Sequence, residues 1–357
     1  MTESKTEAPA RTWKRILGAL TSNENLSSGD TSWAMDEIMS DNATGSQIAA
    51  FGVALKMKGP TSAEVRGLAD SMLGHATLVE CDRMAVDVVG TGGDGADTVN
   101  ISTMAALVAA SAGARVVKHG NRAASSRSGT TDVLEALGVK FGLGPAGVAT
   151  TVREVGIGFC FAPVYHPALR FAGPPRKEIG IPTVFNVLGP LTNPGRPRSG
   201  LIGCAFGSLV SVVADVFAER GASALVVRGD DGLDEITLTT TTTVYVVSGG
   251  SVTEAKIDPR DFGIDYVGID ALRGGDASVN AAIARAVFAG DRGPVRDAVL
   301  LNAAAALTAF DGISDGIAPA GLNNHIAAGL ERAARAVDSG ATAALLARWV
   351  SRSNELD

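Results

Sequence analysis

The spacing of apolar residues changes once along the chain, near residue 76. Before that point, apolar positions recur every three or four residues in the segments RTWKRILGAL, TSWAMDEIMS, GSQIAAFGVALKMKG and TSAEVRGLADSMLGHA. Thr or Ser precedes several of these segments and suits a helix N-cap. The pattern predicts a small all-helical domain over residues 1–76, whose role is packing or dimerisation rather than chemistry.

After Met84, short β-rich runs alternate with helical segments. The β-rich runs are AVDVV, ARVVK, IGFCFAP, LIGCAF and ALVVRG, and the helical segments include NISTMAALVAASAG, TTDVLEALG and SLVSVVADVFAERG. This alternation is typical of an α/β fold with a mostly parallel central sheet flanked by helices. We therefore expect a larger α/β domain over residues 77–357, and we expect helical segments from about residues 165–190 to join the small domain.

The last third of the chain adds a hairpin and a helical tail. The segment TVYVVSGGSVTEAKI predicts two strands that turn at residues 249–250. Residues 239–243 are five consecutive threonines, and such β-branched residues favour an edge strand or the approach to one. The tail from Asn280 is rich in alanine and is expected to form helices that pack on the sheet.

Composition and charge narrow the class of protein. The chain has 357 residues, of which 46% are hydrophobic and 19% are charged, and its net charge is −7. These values are typical of a soluble globular protein and argue against a general nucleic-acid binder. The scattered Cys81, Cys160 and Cys204 suggest neither a zinc site nor disulfides. Because the first residues lack an apolar signal core and no apolar run reaches membrane-spanning length, we expect a cytoplasmic protein without a membrane partner.

The segment 87–103, DVVGTGGDGADTVNIST, has the G-x-G-x-x-G pattern of a dinucleotide-binding turn. We call residues 90–97 the glycine loop. A dinucleotide site also needs an Asp or Glu about 20 residues further on to hold the ribose hydroxyls. No acid occurs between Asp97 and Asp132, and no Gly-Lys-Ser/Thr of a Walker A motif follows the loop. The pattern therefore indicates a phosphate site of another kind.

The acid-free interval carries cations instead, namely Arg115, Lys118, Arg122 and Arg127. We call residues 118–130 the basic loop. Positive charge suits phosphates and does not suit a ribose diol. Bare glycine amides bind polyanions, as does a helix N-terminus, here predicted to be capped from Thr98, Asn100 or Ser102.

The polar motifs fall at the ends of the predicted strands. GTGGD follows the first strand, KHGNR the second, APVYHP the third, and GDDGLDE follows ALVVRG. Ligands of open parallel sheets bind beyond the carboxyl ends of the strands. The sequence therefore predicts one site at this edge of the sheet. Within GDDGLDE, Asp234 and Glu235 suit Mg²⁺, whereas Asp230 and Asp231 are interpreted as solvated turn residues.

Five blocks, in order and over nearly the whole chain, resemble the anthranilate phosphoribosyltransferases of tryptophan biosynthesis. They are GTGGD at 90–94, NIST at 100–103, KHGNR with the Ser and Thr residues up to 130, NVLGPLTN at 186–193 and GLDE at 232–235. The resemblance implies a nucleoside phosphorylase-like phosphoribosyltransferase fold, with a helical domain, an α/β domain and a cleft between them. It also implies a homodimer that forms through the helical domain.

The resemblance further implies the reaction. The 5-phosphoribosyl group would pass from phosphoribosyl pyrophosphate to the amine of anthranilate, giving N-(5-phosphoribosyl)anthranilate and pyrophosphate, with two Mg²⁺ ions per subunit. Departure of pyrophosphate leaves positive charge at C1′, so stabilising the leaving group is the main catalytic task. An aryl amine is already neutral at pH 7, and no residue is assigned as a general base, although His119 is the candidate if one exists.

Site residues follow from the same resemblance. The implied donor-binding residues are Gly90, Gly93, Asp94, Thr98, Asn100, Ile101, Ser102, Thr103, Lys118, Asn121, Arg122, Ser125, Ser126 and Thr130. The implied anthranilate-binding residues are Gly90, His119, Asn121, His166 and Arg176. The implied metal ligands are Ser102, Asp234 and Glu235. For His119 and His166 a purely structural hydrogen bond is an equal alternative, and for Arg176 the alternative is a surface ion pair, for example with Glu178.

Two positions depart from the family pattern, and two other functions compete. Pro182 stands where many relatives carry Arg, and Leu169 takes an aromatic or Met position; both concern the acceptor channel. A pyrimidine nucleoside phosphorylase would need a different pattern in place of KHGNR and usually an additional C-terminal domain. A nucleic-acid-binding paralogue with little activity would need a broad basic surface, whereas here the bases concentrate in one loop.

Overall fold

The computed structural model describes residues 11–123 and 127–356. Over these residues the chain divides into two compact units. One unit takes in the residues up to His75 together with the segment Ala168–Phe185, and the other takes in Ala76–Pro167 and the chain from Asn186 onward. We call them the helical unit and the sheet unit. No helix among the described residues is both long and apolar enough to cross a membrane.

The secondary structure alternates as the residue pattern predicts. The helices are α1 (Trp13–Thr21), α2 (Ser28–Met39), α3 (Gly45–Lys58), α4 (Ser62–Gly74), α5 (Ile101–Ser111), α6 (Thr130–Leu137), α7 (Pro145–Val155), α8 (Ala162–Tyr165), α9 (Gly173–Ile179), α10 (Val210–Glu219), α11 (Ala277–Phe288), α12 (Pro294–Asp315), α13 (Leu322–Asp338) and α14 (Ala341–Glu355). The strands are β1 (Val86–Gly90), β2 (Val116–Gly120), β3 (Ile157–Phe161), β4 (Ser199–Gly203), β5 (Ser223–Gly229), β6 (Thr242–Ser248) and β7 (Ser251–Ile257).

The helical unit is built from capped, amphipathic helices. The side chains of Thr12, Ser27, Thr44 and Thr61 each accept a hydrogen bond from a backbone N–H in the first turn of α1 to α4. These bonds satisfy backbone donors that a helix leaves unpaired at its start. The helices bury their apolar faces in a shared core, and α9 contacts α3 within the same unit.

The sheet unit contains one mostly parallel sheet, which confirms the predicted fold class. Among the described residues seven strands pair in the order β3-β2-β1-β4-β5-β6-β7. Strands β1 to β5 run parallel, while β6 and β7 add as an antiparallel hairpin that turns at residues 249–250, as predicted. Both turn residues are glycines with positive φ, of 58° and 77°, which suits a tight two-residue hairpin turn.

The threonine run was placed wrongly at the sheet edge. Strand β6 begins at Thr242 and lies between β5 and β7, so β7 forms the edge of the sheet. The run matters for another reason: several of its hydroxyls donate to Asp230 and Asp231. The β-branched residues therefore lead into an interior strand and also fix the acidic turn that precedes them.

The strand order fixes the position of the site. Strand β1 is central, and its neighbours β2 and β4 lead away from it in opposite directions along the sheet. Such a reversal opens a crevice at the carboxyl ends of the strands. Helix α12, whose alanines are all fully buried, packs on β4, β5 and α5, as the tail was predicted to do. Small side chains allow this close approach.

Candidate active site

A cavity of about 350 Å³ opens at the carboxyl edge of the sheet. It is lined by residues of the glycine loop, by the start of α5, by residues 118–123 and 128–130 of the basic loop, and by Asn186, Asp234 and Glu235. The lining includes the described residues predicted for donor and metal binding, with the exception of Thr103, whose hydroxyl donates to that of Thr130 at 3.2 Å. Ser125 and Ser126 lie outside the described residues.

The glycine loop packs directly against Asp234. Gly92 and Gly93 have φ values of +69° and +86°, a region that side chains rarely enter. The N–H of Gly92 donates to Asp234 Oδ2 at 2.7 Å. A Cβ atom on Gly90 would lie 2.1 Å from the same oxygen, so no side chain fits there. Glycine is therefore required at Gly90 by contact and at Gly92 and Gly93 by backbone angle.

The first turn of α5 is not capped in the predicted way. Asn100 occupies the N-cap position, but its side chain makes no hydrogen bond to its own helix. Instead its Nδ2 donates to the carbonyl of Ser128 in the basic loop at 3.0 Å. The N–H of Ser102 donates to Glu235 Oε1 at 3.1 Å. A carboxylate from another element thus binds the helix N-terminus, where negative charge is favoured.

Three acids approach one another at this edge. Burial raises the pKa of Asp234 to about 7, and the nearby Asp94 acts in the same direction. Burial, followed by the charge of Asp234, also raises the pKa of Glu235 well above its usual range. Like charges in a dry site disfavour the ionised state. A divalent cation would remove this penalty, and hard oxygen ligands are those that Mg²⁺ prefers.

The chemistry of this donor set fits a magnesium ion that is completed by substrate. Among the described residues, no group of three or more His, Cys, Asp and Glu side chains could hold a metal alone. Mg²⁺ commonly uses one or two carboxylates together with phosphate oxygens and water. Asp234, Glu235 and the hydroxyl of Ser102 would supply the protein ligands of such an ion, and the substrate phosphates and water would supply the others.

Of the cations predicted to face phosphates, Lys118 is the one that the sheet buries at the site. Its side chain is 1% exposed, and its Nζ donates to the carbonyl of Val88 and to Ser102 Oγ. Burial lowers the pKa of Lys118, while the negative charges of Asp87, Glu235 and Asp234 act against that change. The ammonium therefore belongs to the same electrostatic network as the acids.

The arginines of the acid-free interval are used differently. Arg115 precedes β2, at the amino end of the strand, and pairs with Asp82. Its predicted place beside phosphates is therefore wrong. The guanidinium of Arg122 lines the cavity, but it pairs with Asp132 at 2.6 Å and with Glu135 at 2.9 Å.

His119 and His166 form a buried pair, with their ring centroids 5.3 Å apart. Nδ1 of His119 donates to the carbonyl of Gly189, and Nε2 of His166 donates to that of Thr192. The other nitrogen of each ring has no partner among the described residues. Burial lowers the pKa of His119 to about 3, and His166 adds to that shift. Both rings thus bind the NVLGPLTN segment, and His119, which lines the cavity, is neutral at pH 7.

Arg176 lies in the helical unit, on α9. Its guanidinium is 5.6 Å from the ring centroid of Phe185 and makes no ion pair with any described residue. The alternative of a surface pair with Glu178 is therefore not found. Burial lowers the pKa of Arg176, which still leaves a permanent positive charge.

Asp230 and Asp231 are exposed turn residues, as predicted, and both also accept hydrogen bonds. Asp231 accepts from the backbone of Leu233 at 3.1 Å and from the hydroxyl of Thr237 at 2.7 Å. Asp230 accepts from the hydroxyl of Thr243 at 2.8 Å and pairs with Lys256. These bonds fix the turn that ends in Asp234 and Glu235.

Asn302 is a residue of this site that the sequence did not reveal. It is fully buried in α12, where its carboxamide accepts from the N–H of Ile236 at 3.0 Å and donates to the carbonyl of the same residue at 2.9 Å. Ile236 directly follows Glu235. A lone Asn in an alanine-rich helix carries no local sign of such a contact, although a polar residue within an apolar run is itself a signal.

Comparison with known proteins decides the family. The model of the Glycosyl transferase family a/b domain matches residues 82–343, and that of the family's helical bundle domain matches residues 14–76. The chain is 68% identical to the anthranilate phosphoribosyltransferase of Rhodococcus jostii (strain RHA1) over 348 residues, which are 98% of this chain and 95% of that protein. This chain belongs to the anthranilate phosphoribosyltransferase family. The relative from Nocardia farcinica (strain IFM 10152) is 65% identical over 96% of this chain and 99% of its own length.

Solved structures of the family share the fold. The anthranilate phosphoribosyltransferase of Thermus thermophilus superposes with a TM-score of 0.86 at 37% identity, covering 95% of this chain and 99% of that one. The Saccharomyces cerevisiae enzyme in complex with PRPP and Mg gives 0.85 at 27% identity, covering 96% and 98%. Its complex with 4-fluoroanthranilate gives 0.83 at 26% identity, covering 97% and 99%. These relatives favour the transferase over the phosphorylase and nucleic-acid-binding alternatives.

Proposed function

We propose that this chain transfers the 5-phosphoribosyl group from phosphoribosyl pyrophosphate to the amine of anthranilate, within tryptophan biosynthesis. The observation that carries the proposal is the cavity of the sheet unit, which brings the glycine loop, the buried Lys118, the buried Asp234 and the half-buried Glu235 to one edge. A pyrophosphate with a divalent cation needs this combination. The names of the relatives, and the yeast complex with PRPP and Mg, support it.

Binding of the donor rests on backbone and on Lys118. The positive φ values of Gly92 and Gly93 turn the glycine loop, whose glycines line the cavity, and oriented backbone amides form an anion site. The first turn of α5 adds the positive end of its dipole. Because pyrophosphate leaves with its charge, contacts that strengthen as charge builds up lower the barrier.

The metal would be held by Asp234, Glu235 and Ser102, and we propose two Mg²⁺ ions per subunit. When bound, Mg²⁺ neutralises charge on the departing pyrophosphate. The chain's own part is to keep the two carboxylates in place: the N–H of Gly92 holds one and the N–H of Ser102 holds the other. The raised pKa of both acids marks a site in which Lys118 alone does not balance the negative charge.

Binding of the acceptor is proposed to use Arg176, whose planar guanidinium suits the anthranilate carboxylate. It has no competing acid among the described residues. His119 is proposed as a neutral contact, with its unpartnered Nε2 available to accept a hydrogen bond. Its pKa of about 3 makes it a poor base at pH 7, in agreement with an amine that attacks in its neutral form.

The reaction is tested directly by mixing the protein with phosphoribosyl pyrophosphate, Mg²⁺ and anthranilate, and by following the loss of anthranilate fluorescence. Turnover that requires all three components is the expected result. Folded protein without turnover would contradict the proposal.

We also propose a cytoplasmic homodimer that forms through the helical unit. Light scattering that reports a monomer at micromolar concentration would contradict the dimer.

A further inference from the structure

Asn280 is a buried polar residue whose contacts reach the donor site, although its side chain does not line the cavity. It lies in the first turns of α11 and is 3% exposed. Its Oδ1 accepts from the N–H of Gly275 at 2.8 Å, and its Nδ2 donates to Asn100 Oδ1 at 2.8 Å. Both polar atoms of the Asn280 carboxamide are therefore hydrogen-bonded, one to the segment before α11 and the other to Asn100.

The second contact continues into the basic loop. Asn100 receives the hydrogen bond from Asn280 on its oxygen and passes one on from its Nδ2 to the carbonyl of Ser128 at 3.0 Å. The first contact reaches the glycine loop, because the segment before α11 pairs with it: the N–H of Gly274 donates to the carbonyl of Asp97 at 2.8 Å. Asn280 therefore connects both loops that face the donor.

These hydrogen bonds prevent the Asn100 side chain from capping helix α5. Asn is among the most favoured N-cap residues, because its side-chain oxygen accepts from the second or third backbone N–H of the helix. In α5 those groups belong to Ser102 and Thr103, and the N–H of Ser102 already donates to Glu235. If Asn100 were released, its oxygen could compete with Glu235 for that N–H and cover the helix end.

We propose that Asn280 is a positioning residue for the phosphoribosyl donor. It holds Asn100 off the N-terminus of α5 and fixes the glycine and basic loops relative to each other. The inference rests on the proposed function in that the donor is phosphoribosyl pyrophosphate. It assigns Asn280 an effect on donor binding and none on the acceptor.

The test compares donor binding in four proteins: wild type, Asn280→Leu, Asn100→Ala and the double variant. Calorimetry measures the Kd of phosphoribosyl pyrophosphate with Mg²⁺, and kinetics give KM for each substrate. Asn280→Leu is expected to raise the donor Kd and KM about tenfold, the upper range for loss of a buried hydrogen bond. KM for anthranilate should stay within about twofold, and Asn280→Leu should add little in the Asn100→Ala background, since both act through one contact.

Two further variants separate positioning from stability. Asn280→Ser retains a small polar group and serves if the leucine variant does not fold. Thr308→Val is the matched control, because Thr308 is buried in α12 and, within the described part of the chain, its hydroxyl bonds only the carbonyl of Ala304 in its own helix, at 3.0 Å. The control should lower Tm without changing the donor Kd.

Three outcomes overturn the inference. One is an unchanged donor Kd in folded Asn280 variants, another is an equal rise in KM for both substrates, and the third is full additivity with Asn100→Ala. Since binding is measured without turnover, wild-type protein that binds the donor but transfers nothing would refute only the proposed reaction. Wild-type protein that binds no donor would refute both.

Discussion

The acidic turn at Asp234 and Glu235 and the cation at Arg176 show two opposite ways of holding charge. One carboxylate accepts a backbone N–H from the glycine loop and the other accepts one from the first turn of α5, and each has another acid nearby. Arg176 has no acid partner among the described residues and lies over an aromatic ring instead. The first region concentrates negative charge beside one buried lysine, while the second isolates a single positive charge.

The difference shows what each region needs from the rest of its unit. Like charges repel, so the acidic turn requires a rigid support, and Asp231 and Asn302 supply it by bonding the backbone on either side. An isolated guanidinium needs only partial burial to keep its affinity for one carboxylate. We propose that the acidic turn acts through a metal ion that it positions, and that Arg176 acts through the charge and planar shape of its own guanidinium.

The largest effect is expected from Asp234→Ala combined with Glu235→Ala. Without these ligands the charge on departing pyrophosphate is poorly balanced, so kcat should fall about 10³-fold, and more Mg²⁺ should be needed for half-maximal rate. The measurement is a steady-state rate series over Mg²⁺ concentration. Asp230→Asn is the control, because it removes an acid of the same turn that does not line the cavity. An unchanged Mg²⁺ dependence in the double variant would place the metal elsewhere.

Arg176→Ala should mainly weaken binding of anthranilate. A hydrogen bond to a charged group contributes about 1.5–3 kcal/mol, so KM for anthranilate should rise about 10- to 100-fold. KM for the donor should change little. Arg170→Ala is a matched control in the same unit, since Arg170 also lies over a phenylalanine, 4.5 Å from the ring centroid of Phe171. Loss of donor affinity in Arg176→Ala would show that this residue binds the other substrate.

A smaller effect is expected from Gly92→Ala and Gly93→Ala. Both positions have positive φ, which costs a residue with a side chain about 1–2 kcal/mol, and at Gly93 the added Cβ would also lie 3.2 Å from Phe206. Donor KM should therefore rise about tenfold while the fold persists by circular dichroism. Gly142→Ala, at a position with open space and ordinary φ, should leave donor KM unchanged. Normal donor affinity in both variants would argue against the glycine loop as the anion site.

The smallest effect concerns stability without ligand. The pKa of Asp234 is about 7 in the fold against an ordinary 3.8, so between these values the folded protein keeps a proton that the unfolded chain has released. Stability from this group is therefore lost as pH rises from about 4 to about 7. Asp234→Asn, which can still accept from Gly92, should gain more Tm over wild type at pH 8 than at pH 5, by a few degrees. A gain that does not vary with pH would contradict the raised pKa.

Much of the sheet unit was predictable because its strands and helices carry strong periodic signals. The strands from AVDVV to ALVVRG and the turn at residues 249–250 follow the residue pattern. The position of β6 inside the sheet did not follow from the residue pattern, because the composition of a strand does not specify which strands pair with it. Arg115 was misplaced because the charge of a segment does not show which of its residues lie at the amino end of a strand, away from the carboxyl edge that forms the site.

The long-range hydrogen bonds that hold the site in place could not be predicted from the sequence. Asn280 and Asn302 reach residues 180 and 66 positions away, and no local pattern encodes such a pairing. The motif residues could be identified because their spacing is short and their chemistry is shared by a family. The residues that hold them in place are single polar side chains in helices, and only packing shows which backbone groups they meet.

The close packing around Asp234 limits which residues are tolerated at the neighbouring glycine positions. A Cβ atom on Gly203 would lie 1.6 Å from the carbonyl of Asp234, and one on Gly229 would lie 2.2 Å from Asp231. Together with Gly90, these positions leave no room for a Cβ atom unless Asp231 or Asp234 shifts, although neither Gly203 nor Gly229 lines the cavity. A saturation mutagenesis scan should therefore show that substitutions at Gly90, Gly203 and Gly229 are poorly tolerated. A survey of natural variants would flag these glycines as strongly as the ligands themselves.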